Sequence, residues 1–126
     1  MIDAILDTTV VLHLFRKYQS ALNWFNNQQY YGVAVNVWLE VMEGANNKAN
    51  QAQCKAILSQ FETVYLTPSD QQWAMQQIKR FQFSHHIGMN DCLIASVAYR
   101  LQVPLYTHNL KDMTPMLGKL AVVPYK

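Results

Sequence analysis

Four acidic side chains each fall at the edge of a different segment: Asp7, Glu40, Asp91 and Asp112. Asp7 closes the apolar run of residues 1–6 and is followed at once by Thr8-Thr9-Val10-Val11-Leu12, a strand–turn–helix junction with a carboxylate at the turn. Glu40 lies near the start of a second helix, Asp91 opens a third, and Asp112 follows the last apolar strand but one. Carboxylates gathered in one place repel one another, and a cation must offset that repulsion. Hard oxygen ligands suit Mg²⁺ or Mn²⁺, and no His or Cys spacing suits zinc. Such a site can polarise a phosphodiester, lower the pKa of a bound water and steady the leaving oxygen. The chemistry implied is phosphodiester hydrolysis.

Each acid also has a plainer reading. Asp7 can simply cap a helix by accepting from its free N–H groups, although ligands of open parallel sheets collect beyond the C-terminal ends of strands, where Asp7 falls. Glu40 is flanked by Val37, Trp38, Leu39, Val41 and Met42. A helix apolar on every side is buried, and an unpaired carboxylate there is costly. Glu40 is therefore expected to face a cation or a cavity, or to form an internal ion pair. Asp91 shares its helical face with Ile94, Ala95 and Ala98, and Asn90 can act as N-cap, leaving Asp91 free to enter a cleft. Otherwise Asp91 is itself the cap or a dipole partner. Asp112 reads as a loop acid, and Asn109 from the same loop is a second candidate, as a neutral oxygen ligand or a partner of bound water. Other polar residues carry less. His85-His86 are adjacent and diverge in a polar loop, His13 lies in an apolar helix, and His108 can touch phosphate or simply pack. Neither a GxGxxG nor a GxxxxGK[ST] motif is present.

Positioning these acids requires strands alternating with helices. Strands are expected at 2–6, 32–35, 64–66, 104–107 and 120–123. Between them lie a helical pattern over 8–27 (one bent helix or two), a helix from Val37 that stops at Gly44, and an amphipathic helix over 46–61 with Ala52, Ala56, Ile57 and Phe61 inward. Thr67-Pro68-Ser69-Asp70 starts another helix, with Thr as N-cap, Pro at the first position and an acid three residues on. A loop at 84–88 and a helix over 91–101 follow. This alternation predicts an α/β fold: a central, mainly parallel sheet of about five strands flanked by helices.

With 126 residues the chain is expected to form one domain, 1–126, and 51% hydrophobic residues suffice for a real core. The net charge of +2 is small, yet weak basicity permits nucleic-acid binding when metal ions carry part of the phosphate charge. Arg16-Lys17 and Lys79-Arg80 are the local basic pairs. No run approaches the ~18 apolar residues of a membrane span, and the N-terminus lacks the pattern of a signal peptide, so a cytoplasmic protein is expected. Cys54 and Cys92 are expected to stay reduced. Trp24, Phe25, Tyr30 and Tyr31 are candidates for a partner surface, or for core.

The segments Ile5-Leu6-Asp7-Thr8-Thr9-Val10-Val11, Trp38-Leu39-Glu40-Val41-Met42-Glu43-Gly44, Asp91-Cys92-Leu93-Ile94-Ala95-Ser96-Val97-Ala98 and Leu105-Tyr106-Thr107-His108-Asn109-Leu110-Lys111-Asp112-Met113, in that order, resemble the PIN domain. Their spacing is similar to that of the VapC toxins of bacterial type II toxin–antitoxin systems. The resemblance covers essentially the whole chain. It implies a PIN-like fold, a Mg²⁺- or Mn²⁺-dependent ribonuclease, a homodimer, and inhibition by a VapB-type antitoxin. Carried over, it makes Asp7, Glu40 and Asp91 the first three acids of the family quartet, with the fourth contributed by Asp112 or Asn109. His108 stands where many relatives have Arg, Met113 where Phe is common, and Asn36 near a frequent Ser or Thr. A non-catalytic PIN module that binds RNA or protein, and an RNA-processing nuclease without antitoxin, are the alternatives.

Overall fold

The computed structural model describes residues 1–25 and 28–126. Among them, five short strands form one sheet: β1 (Ala4–Leu6), β2 (Tyr31–Ala34), β3 (Glu62–Val64), β4 (Leu105–Tyr106) and β5 (Ala121–Val122). Every pairing is parallel, in the order β3-β2-β1-β4-β5. Parallel strands cannot be joined by tight turns, so helices carry the chain across the faces of the sheet. These are α1 (Thr8–Phe15), α2 (Gln19–Trp24), α3 (Val35–Glu43), α4 (Lys48–Leu58), α5 (Pro68–His85), α6 (Met89–Leu101) and α7 (Leu110–Leu117).

Both faces of the sheet are covered, so the central strand is apolar at every position: Ala4, Ile5 and Leu6 are essentially inaccessible. Close packing on β2 explains Gly32, where a Cβ would come within 2.9 Å of Ile2 Cδ1 and 3.2 Å of Val64 Cγ2. From α6, Cys92, Ile94, Ala95, Val97 and Ala98 enter the core. The pattern over 8–27 resolves into two helices. Lys17, in the left-handed region at φ 58°, ends the first, and residues 26 and 27 lie outside the described residues.

Several boundaries differ from the sequence reading. Val35 opens α3 rather than closing β2. The third strand is Glu62–Val64, and the exposed Tyr65 lies beyond it. In α4 the buried positions are Cys54 and Leu58, while Ala52 and Ala56 face solvent. The Thr67 start is borne out as a reciprocal capping box: Asp70 N–H donates to Thr67 Oγ1 at 3.1 Å and Thr67 N–H to Asp70 Oδ2 at 2.9 Å. Asp70 is buried, and Arg100 Nε donates to its Oδ1 at 2.9 Å. Burial pulls the Asp70 carboxyl upward, but the hydrogen bonds from Arg100 and Thr67 and the guanidinium charge leave it below the usual carboxylate range. This contact ties the start of α5 to the end of α6.

Tyr31 is buried, and Trp24 and Phe25 pack against the core. Tyr30 remains half exposed, its hydroxyl donating to Glu62 at 2.8 Å. Both cysteines are free and buried. No helix among the described residues is long and apolar enough to cross a membrane.

Candidate active site

The strand order reverses direction at β1: the chain runs outward through β2 and β3, then returns to β4 on the other side. Such a switch point opens a crevice at the C-terminal ends of the strands. Leu6 pairs with Tyr106, so the next residues on each strand, Asp7 and Thr107, emerge side by side. Thr107 Oγ1 donates to Asp7 Oδ2 at 2.7 Å, and both residues are buried. The other carboxylate oxygen, Oδ1, accepts from Thr8 N–H at 2.8 Å. Asp7 is therefore the N-cap of α1 and a buried acid at the switch point at once.

Glu40 departs from the expected wholly buried setting. Val37 and Val41 are buried, but Leu39 on the same helix is 56% exposed, and Glu40 is half-buried. Among the described residues it has no basic partner; Thr8 Oγ1 donates to its Oε1 at 3.1 Å. Thr8 thus links the two acids, through its N–H to Asp7 and its hydroxyl to Glu40.

Asp91 lies in the first turn of α6, and the helix begins two residues earlier than its sequence indicates. Gly88, not Asn90, is the N-cap. Asp91 is not the cap, and it is only partly exposed: burial, then the negative charges of Asp7, Asp112 and Glu40, push its carboxyl up to about 6. Burial alone would penalise the ion; the three further acids locate Asp91 among them. A hydrogen bond with Asp112 adds to the shift.

Asp112 is not in a loop. It lies in the first turn of α7, a helix the sequence reading missed. Asn109 is its N-cap, without a side-chain cap bond; instead Asn109 Nδ2 donates to Asp112 Oδ2 at 3.0 Å. Asn109 N–H donates to Thr107 Oγ1 at 2.9 Å, so the hydroxyl that holds Asp7 also fixes this loop.

The structure therefore sets Asp91 within range of the charges of Asp7, Asp112 and Glu40, links Asp7 to Glu40 through Thr8, and attaches Asn109 to Asp112. Among the described residues, no three His, Cys, Asp or Glu side chains already stand in ligand geometry. The donor chemistry nonetheless fits a hard divalent cation: the set is all oxygen, and among the described residues no ion pair with a basic side chain neutralises its charge. The orienting hydroxyls of Thr8 and Thr107 were not anticipated as partners of the acids, since side-chain hydrogen bonds across the sheet leave no local pattern. Next to the acids, Cys92 is buried with its thiol pushed up to about 11, by burial and then by the Asp91 charge, which leaves it unreactive.

Comparison with known proteins agrees with this architecture. The family model of the PIN domain matches residues 4–111. No curated protein sequence matches the chain. Among solved structures, a chain of VapBC2 from Rickettsia felis, bound to a DNA fragment from its promoter, superposes with a TM-score of 0.77 at 21% identity, covering 100% of both chains. A chain of a toxin–antitoxin complex from Klebsiella pneumoniae gives 0.73 at 23% identity, covering 98% of each chain. A chain of DNA-bound VapBC from Salmonella typhimurium gives 0.73 at 20% identity, covering 94% of this chain and 95% of that one. The parallel five-stranded sheet is that of the PIN-like fold, and the chain belongs to the PIN domain family.

Proposed function

We propose that this chain, as one domain over residues 1–126, is a VapC-type toxin: a cytoplasmic, Mg²⁺- or Mn²⁺-dependent endoribonuclease that acts as a homodimer and is held in check by a VapB-type antitoxin. The observation that carries the nuclease reading is geometric: at the switch point of the sheet Thr8 and Thr107 join Asp7 to Glu40 on one side and, through Asn109, to Asp112 on the other, with Asp91 beside them. The antitoxin rests on likeness to chains found in toxin–antitoxin complexes, and the dimer on membership of the PIN domain family.

In this reading Asp7, Glu40 and Asp91 hold the ion, with Asp112 or Asn109 as a further ligand. When bound, a divalent ion supplies the Lewis acidity that polarises a phosphodiester and eases deprotonation of water. The protein's own part is orientation. Thr107 fixes one oxygen of Asp7, Thr8 anchors its other oxygen and steadies Glu40, and the Asn109 amide aims Asp112. Pre-set carboxylates need no reorganisation when the phosphate arrives. In-line hydrolysis on this arrangement leaves a 5′-phosphate and a 3′-hydroxyl.

The test is cleavage of a structured RNA with and without EDTA, beside Asp7→Ala purified free of wild type. Cleavage that requires added Mg²⁺ or Mn²⁺ and disappears in Asp7→Ala is expected. Equal, chelator-resistant activity in both proteins would end the assignment.

A further inference from the structure

Beside the acids lies a group of rings that their chemistry does not use. His108 is bracketed by Thr107, which donates to Asp7, and Asn109, which donates to Asp112. Its imidazole packs 4.7 Å from the Tyr125 ring and 5.2 Å from that of His13, centroid to centroid. His13 in turn lies 4.8 Å from Tyr18 and is hydrogen-bonded through Nδ1 to the Tyr125 hydroxyl at 2.6 Å. The local backbone builds this group. The left-handed Lys17 stops α1, and Tyr18 N–H donates to His13 O at 2.9 Å, which turns the Tyr18 ring back onto the helix it has just left.

Two of the rings are covered and two are not. His13 and Tyr125 are half-buried, whereas His108 is exposed and Tyr18 is 47% exposed. The hydrogen bond between them, which holds Tyr125 against α1, accounts for the inner pair. It gives no reason for the outer pair to leave ring surface in water. Arg16 and Lys17 are also exposed, directly beside Tyr18, and Arg16 is near enough for its charge to act on His13. Aromatic faces flanked by cations, adjoining an acid cluster suited to a phosphodiester, match a single nucleic-acid strand: bases stack on the rings and phosphates meet the cations.

We infer that His108 and Tyr18, backed by His13 and Tyr125, form a stacking platform for an unpaired nucleobase of RNA next to the scissile phosphate. This rests on the ribonuclease reading and adds to it a substrate requirement: the strand is unpaired at that nucleotide. Stacking does not read hydrogen-bond edges, so the platform accepts any base and selects for strandedness rather than sequence.

The experiment measures binding of single-stranded RNA oligonucleotides to the full chain carrying Asp91→Asn, by fluorescence anisotropy, with an abasic nucleotide placed at each position in turn. One or two positions beside the cleavage point should bind roughly 5- to 100-fold more weakly when abasic, the range of a single base stack. His108→Ala and Tyr18→Ala should weaken the intact RNA by a similar factor and show no further loss at that abasic position. His108→Phe, which keeps a ring, should restore both the affinity and the abasic sensitivity. Wild-type affinity in His108→Ala, or abasic losses that persist unchanged in it, would overturn the platform while wild-type cleavage leaves the nuclease reading standing. A wild-type chain that neither cleaves nor binds RNA would overturn both.

Discussion

Thr107 and Asp7 stand 100 residues apart in the chain and are joined by a buried 2.7 Å hydrogen bond. The same hydroxyl accepts the Asn109 N–H. Thr107→Val keeps the shape but removes both bonds. A hydrogen bond to a charged group contributes about 1.5–3 kcal/mol, so Thr107→Val should lose stability of that order and cut RNA less well, whereas Thr107→Ser should retain most of both. Denaturant melts and cleavage rates on the three proteins check this.

Asp91 should make the protein more stable when it is neutralised. Its folded carboxyl, at about 6, lies above its ordinary 3.8. Below the ordinary value both states hold the proton and there is no penalty. As pH rises from there, the unfolded chain releases its proton first, and stability falls until the folded carboxyl ionises near 6. The full penalty, up to about 3 kcal/mol, is then present at neutral pH. Asp91→Asn should therefore melt several degrees higher than wild type at pH 7.5, with the gap closing toward pH 4. A lower melting point for the variant at pH 7.5 would contradict the crowding described.

Divalent cations should reverse that penalty. Millimolar Mg²⁺ or Mn²⁺ at pH 7.5 is expected to raise the wild-type melting point, the stabilisation growing by about 1.4 kcal/mol for each tenfold excess over the dissociation constant. Asp7→Ala and Asp91→Asn should lose most of this shift. Calorimetry with and without EDTA decides it, and equal shifts in all three proteins would place the ion elsewhere.

Arg100 and Asp70 concern stability alone. Removing one partner of a buried ion pair leaves an uncompensated charge and costs about 3–5 kcal/mol. Because Arg100 is one-third exposed and can rehydrate, Asp70→Asn should cost less than Arg100→Met, which strands the buried carboxylate. The Asp70 contribution is present above its ordinary pKa and lost as pH falls through its lower folded value. The wild-type advantage over Arg100→Met should thus shrink in acid, as pH-dependent denaturation would show.

Much of this fold is legible in the chain because its signals are local. Buried parallel strands are short apolar runs, the Thr67-Pro68-Ser69-Asp70 start is a capping box in sequence and in space, and the acids at element ends are recognisable by position. The elements that were missed obey signals of another kind. α7 carries Leu110, Met113 and Leu117 at helical spacing, but Pro115 within it reads as a breaker. Sequence alone points to Asn90 as the start of α6 because Asn is a good cap residue, while Gly88, the actual cap, makes no side-chain cap bond at all. The setting of Glu40 is not legible because an apolar sequence does not say which side of a helix has a neighbour, and Leu39 on α3 is exposed. The bonds of Thr8 and Thr107 to the acids, and of Arg100 to Asp70, join distant segments and leave no trace in any single stretch.

The sheet order has a bearing on synthesis. β1 is made first but gains its second neighbour only from β4, and Asp112 follows later still. A ribosome that has emitted the first hundred residues holds three of the acids and cannot bring the fourth to them. Whatever these carboxylates do together can begin only after Asp112 has emerged, so a product cut short before that residue holds an incomplete acid set.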